Sequence, residues 1–142
     1  MRSKRRSGAN LSSKRPDQIE IFVDRALGRR IAVPLIAAGA IVHLHDDHFE
    51  QGVEDAVWLT EVGARGWIVL TKDQRIRYRE IERKALLNAG VGVFIFMSGN
   101  VPFPKMAEII AKALPRMMNF AHQTTPPFIA GVYKDSSVRR IL

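Results

Sequence analysis

Trp67-Ile68-Val69-Leu70-Thr71-Lys72-Asp73 is the stretch on which the fold turns. It is the most hydrophobic strand-like run of the N-terminal half, too apolar to tolerate a charge further inside, so Asp73 marks the point where the chain leaves the core. Working outward, the same pattern recurs. Ile19 to Asp24 reads as a first strand, and Ile41 to His45 as a second. Val91-Gly92-Val93-Phe94-Ile95-Phe96-Met97 is a continuous apolar run, as expected of a strand buried on both faces. Helical stretches lie between these runs, so the alternation predicts a parallel sheet covered by helices.

The intervening helices carry their own signals. Residues 29–38 are helix-like, with Pro34 predicting a kink or a late start and Gly39 a break. After the acidic loop 46–52, a helix over about 53–62 turns Val57, Trp58 and Val62 to the core, and Gly63 and Gly66 end it. A helix running to about Ala89 is closed by Gly90. One over about 104–120 packs through Met106, Ile109, Ile110 and Leu114, with Pro115 predicted to bend or interrupt it. The C-terminal Pro126 to Tyr133 segment reads as a short extended edge, where prolines are tolerated.

Three aspartates stand where hydrophobic runs give way. Asp24 closes the first strand, Asp55 opens a helix and Asp73 closes the third strand. In an open α/β sheet the carboxyl ends of the strands form one rim, and ligands bind outside it. Carboxylates delivered there from separate segments converge and repel, and a hard divalent cation such as Mg²⁺ or Mn²⁺ relieves them. That arrangement suits phosphoryl chemistry. Taken singly, each aspartate is equally explained as a turn or helix cap. Asp46, Asp47 and Glu50 crowd the loop after the second strand, with Asp47 the choice for a fourth metal-site carboxylate over the alternative of a solvated acidic loop.

Arg75, Arg77 and Arg79, followed by Arg83 and Lys84, begin two residues after Asp73. They predict a clamp on nucleic-acid phosphates with Tyr78 available to stack on a base. The alternative is a charged helix face in which Glu80 pairs with Lys84. Trp58 and Trp67 read as core residues. His43 and His45 share a face if both lie on one strand, but a third ligand for a transition metal is not evident.

Composition narrows the classes. The 142 residues fit one domain, and the absence of cysteine excludes disulfides, thiolate zinc sites and cysteine nucleophiles. No apolar stretch approaches the ~20 residues of a membrane span, and the basic start lacks a signal-peptide core, so a cytoplasmic location is expected. The net charge is +8, and six of the basic residues lie in the first sixteen positions, which hold no acid. Residues 1–16 therefore read as a disordered basic tail, either a solubilising extension or a phosphate-seeking arm, ahead of a domain over 17–142.

The run Phe22-Val23-Asp24-Arg25-Ala26-Leu27-Gly28, the Asp46-Asp47-His48-Phe49 loop, the Asp55 to Trp58 helix with Val62-Gly63 and Gly66-Trp67, and above all Val69-Leu70-Thr71-Lys72-Asp73 resemble the PIN-like domain family. Ser98-Gly99-Asn100 and Pro127-Phe128-Ile129-Ala130 extend the likeness to the VapC-type toxin branch of bacterial toxin-antitoxin systems. The resemblance covers about residues 20 to 135. It implies a three-layer α/β/α sandwich with a central parallel sheet, an acidic cluster binding Mg²⁺ or Mn²⁺, and cleavage of single-stranded RNA. It also implies a cognate antitoxin as partner and homodimerisation. The family's first acid falls on Asp24, its helix-borne acid on Asp55 and its strand-end acid on Asp73, whereas the positions following Asp73, where a further carboxylate is usual, are basic.

Rival readings fare less well. A phosphoacceptor receiver domain needs an acidic pair at the end of its first strand, where Arg25 follows Asp24. A haloacid-dehalogenase-like phosphatase expects a second aspartate two residues on, where Ala26 stands. The alternative that survives is a catalytically degenerate PIN-like module that binds RNA or a protein partner.

Overall fold

The computed structural model describes residues 19–142. The basic tail expected over residues 1–16 lies outside the described residues, as does the start of the domain at 17. Strand β1 (Glu20–Val23) pairs in parallel on one side with β2 (Ile41–Leu44) and on the other with β3 (Ile68–Thr71). β3 pairs in parallel with β4 (Gly92–Phe96), and β4 with β5 (Phe128–Val132). A short β6 (Val138–Arg140) then closes the sheet antiparallel to β5, giving the order β2-β1-β3-β4-β5-β6.

Helices cover both faces, which is why the central strands carry apolar residues without alternation. Helices α1 (Ala32–Ala37) and α5 (Phe103–Gln123) lie over one face, burying Leu35, Ile110 and Leu114 against Ile21, Val23 and Phe94. Helices α3 (Asp55–Ala64) and α4 (Glu80–Ala89) cover the other, burying Leu59, Val62 and Leu86 against Phe22, Val69 and Val93. The result is a three-layer α/β/α sandwich. Phe22 centres the second core, stacked between Trp58 and Trp67 at ring separations of 5.4 and 6.1 Å.

Several local expectations change. Residues 29–38 do not form one helix: 3-10 turns occupy Arg25–Leu27 and Arg29–Ile31, and α1 begins only at Ala32. Pro34 then falls in the first turn of α1, where a missing N–H costs no helical hydrogen bond. The acidic loop begins as a single helical turn, α2 (His45–His48), so His45 leaves the strand. In α3 the third core position is Leu59, while Val57 is 55% exposed. Gly63 does not end that helix but lies within it, where a Cβ would strike the carbonyl oxygen of Ala89, so its lack of a side chain sets the approach of α3 to α4. Gly66, at φ 72°, does make the exit.

Helix α5 runs unbroken through Pro115, between buried Leu114 and Met117, so packing on the sheet outweighs the hydrogen bond that proline removes. The largest correction concerns the C-terminus. The expected edge segment is an interior strand, β5, buried at every position, because β6 pairs along its outer side and takes the edge.

Candidate active site

The rim at the carboxyl ends of β1 and β3 is built by one hydroxyl. Register sets Val23 beside Leu70, and the backbone N–H of Asp24 donates to the Leu70 carbonyl at 3.0 Å, so Asp24 and Thr71 leave the sheet side by side. The Thr71 hydroxyl donates to Asp24 Oδ2 at 2.7 Å and accepts the backbone N–H of Asp73 at 3.0 Å. Asp24 Oδ1 meanwhile accepts from the N–H of Arg25 at 2.8 Å, capping the 3-10 turn that follows. Both oxygens of Asp24 are thereby oriented by uncharged donors. Thr71 is only 2% exposed and was not singled out from sequence, since a threonine in a strand is ordinary until its neighbour across the ladder is known.

Asp55 arrives from the opposite wall, in the first turn of α3, where the helix dipole favours a carboxylate. The Trp58 indole donates to its Oδ1 at 2.9 Å, one helical turn on. Asp73 is held by charge. Arg75 forks onto it, Nε to Oδ1 and a terminal nitrogen to Oδ2, both at 2.9 Å, and the Arg75 backbone N–H adds a third bond at 3.0 Å. The Arg75 hydrogen bond, helped by the nearby charge of Arg79 and only partly opposed by burial, holds the Asp73 carboxyl below its ordinary value. Arg75 is correspondingly pushed up, chiefly by Asp73 and further by Glu82 and Asp55.

These groups line one cleft of about 410 Å³. Asp24, Asp55 and Asp73 all face it, together with Arg75 and Arg79, so the structure brings the three expected aspartates together. A fourth carboxylate also lines it, and it is Glu82. Its side chain is 14% exposed, with Oε1 at 3.4 Å from Arg79. Sequence reading passed over Glu82 because it sits nine residues beyond Asp73. A signal was available: Glu82 precedes buried Leu86 by four, so it occupies the rim end of the core-facing stripe of α4.

Other expected residues lie elsewhere. Asp47 does not line the cleft. In the α2 turn both acids pair with arginines, Asp46 Oδ1 with Arg25, which itself lines the cleft, at 2.7 Å and Asp47 Oδ1 with Arg29 at 3.4 Å. Arg77 is also absent from the cleft wall: residues 74–77 form a 3-10 turn, in which positions two apart face different ways, while Arg75 and Arg79 fall on one side. Arg77 instead buries its Nε, without a hydrogen-bond partner among the described residues, and lies 5.6 Å from the Tyr78 ring. On the outer face of α4, Lys84 stands 3.6 Å from Glu80, the pair expected of a charged helix face, while Arg75 and Arg79 line the cleft.

The histidines do not join the site. His43 bonds to Glu20 at 3.1 Å and stacks on Trp67 at 3.7 Å, and buried His45 contacts Arg25 at 3.3 Å. Trp58 and Trp67 are core residues, as expected.

The donors lining the cleft are all oxygen, which suits a hard divalent cation. Among the described residues, however, no three His, Asp or Glu side chains stand ready to hold one, and each of these carboxylates has a partner in Thr71, Trp58 or an arginine. Among the described residues, too, no helix is long and apolar enough to cross a membrane.

A family profile described as "PIN like domain" matches residues 19–98. A curated protein of Mycobacterium tuberculosis, named "Putative ribonuclease VapC45", is 30% identical over 129 residues, covering 87% of this chain and 92% of the relative. No solved structure matches the chain significantly. With its α/β/α sandwich, the acidic cleft at the ends of β1 and β3, and sequence likeness over most of its length, this chain belongs to the PIN-like domain family, on its VapC-type branch.

Proposed function

We propose that the protein is a metal-dependent endoribonuclease that cleaves single-stranded regions of RNA, acting as the toxin of a toxin-antitoxin pair. The observation that carries this reading is the convergence of Asp24, Asp55, Asp73 and Glu82, from four separate elements, on one cleft that also presents Arg75 and Arg79. The name of the mycobacterial relative, a ribonuclease, supports it.

Asp24, Asp55 and Asp73 would hold Mg²⁺ or Mn²⁺, with Glu82 completing the oxygen set. When bound, such a cation activates water and neutralises charge on the phosphoryl group. The chain does the positioning. Thr71 fixes the Asp24 carboxylate, and the Trp58 indole fixes that of Asp55, so two anchors are set before any ligand arrives. Arg75 and Arg79 reach charge developing on the phosphoryl oxygens. On this reading the protein works in the cytoplasm, where RNA and a cognate antitoxin are met.

The test is incubation of purified protein with a pool of small structured RNAs in Mg²⁺, Mn²⁺ or EDTA, alongside Asp24→Asn and Asp73→Asn. Cleavage that needs the metal and is lost in both folded variants is the expected result. A second reading, a PIN-like module that binds RNA or a protein without cutting, draws on the absence of a ready metal cage among the described residues. It predicts salt-dependent RNA affinity with no product.

A further inference from the structure

The cleft divides its acids into two kinds. Asp24 and Asp55 are oriented by uncharged donors, a hydroxyl, a backbone amide and an indole. Asp73 and Glu82 are covered by arginine. The Asp73 cover is the tighter one, with both oxygens bonded to the Arg75 fork at 2.9 Å and Oδ1 also to the Arg75 amide. Of the roughly four in-plane lone-pair positions of this carboxylate, Arg75 fills both on Oδ1 and one on Oδ2. Arg75 therefore competes with a divalent cation for Asp73, and a guanidinium left in place would repel one.

Arg75 is nonetheless free to leave. Its side chain is 56% exposed, so water can take over its hydrogen bonds as it leaves. We infer that Arg75 is an internal counter-ion of Asp73 which a divalent cation displaces, so that metal loading and release of the guanidinium are a single exchange. This rests on the metal-site reading above and adds a consequence to it. Arg75 becomes available to an RNA phosphate only once Asp73 has taken up its cation, so the two cargoes of the cleft load in order.

The test measures Mn²⁺ affinity by titration calorimetry on the full chain without RNA, for wild type, Arg75→Gln, Arg75→Lys and Asp73→Asn, each shown to be folded by its thermal melt. Arg75→Gln is expected to bind Mn²⁺ about fivefold more tightly than wild type, the most that losing an exposed pair should yield. Arg75→Lys, which keeps the charge and loses the fork, falls between them, and Asp73→Asn binds far more weakly. In wild type, the Arg75 Nε–H resonance should move to its free position as Mg²⁺ is added. Unchanged or weaker Mn²⁺ affinity in Arg75→Gln, with Asp73→Asn still impaired, overturns the exchange and leaves the metal site standing. Equal affinity in wild type and Asp73→Asn overturns the metal site itself, and the exchange with it.

Discussion

Thr71 links the two strand ends that matter, donating to one aspartate and accepting from the backbone of another while almost wholly buried. Replacing it with valine keeps the shape and strands two polar groups, so Thr71→Val should cost about 1–3 kcal/mol in urea unfolding, while Thr71→Ser, which keeps the hydroxyl, should cost less. Asp73 offers a second residue-scale check. Its folded value lies below the ordinary 3.8, so its pair with Arg75 contributes stability above that pH and loses it as the pH falls toward the lowered value. Asp73 is partly open to solvent, so the effect is modest. The stability difference between wild type and Arg75→Gln should therefore shrink between about pH 5 and pH 2. A difference that stayed constant across stepped-pH unfolding curves would mean that Asp73 does not feel Arg75.

At the scale of elements, the site depends on how closely α3 and α4 approach, since α3 brings Asp55 and α4 brings Glu82. Gly63 permits that approach. Alanine there is the better helix former by about 1 kcal/mol. Its Cβ, however, meets backbone at Ala89, which cannot swing aside as a side chain can. The clash should win, making Gly63→Ala destabilising by about 1–3 kcal/mol in thermal or urea melts. If the helices instead part to make room, Asp55 and Glu82 separate, and activity falls further than the lost stability accounts for. Elements were also where sequence reading succeeded most and failed most instructively. The strands of the central sheet were legible because burial on both faces demands unbroken apolar runs. The place of β5 was not, because whether a strand is an edge depends on what pairs beside it, and β6 has only three residues with no apolar pattern.

For the whole molecule, a cation that binds only the folded cleft stabilises it by mass action, by about 2.7 kcal/mol at a hundred times its dissociation constant. Mg²⁺ should then raise the melting temperature of wild type by several degrees and leave Asp24→Asn unmoved. Equal shifts in both would place the cation elsewhere. Sequence by itself determined the class of fold, where along the chain the first four strands lie and three of the four carboxylates lining the cleft, because strand-end aspartates and helix-opening acids are marked by the hydrophobic runs they terminate. Only the tertiary structure decided the rest. Glu82 enters, Asp47 and Arg77 stay out, and Arg75 closes on Asp73, because these outcomes depend on helix phase and on the direction of short turns. Spacing along the chain hints at helix phase, as for Glu82 and Leu86, but does not set the direction of a turn, and both are settled when α3 and α4 pack against the sheet.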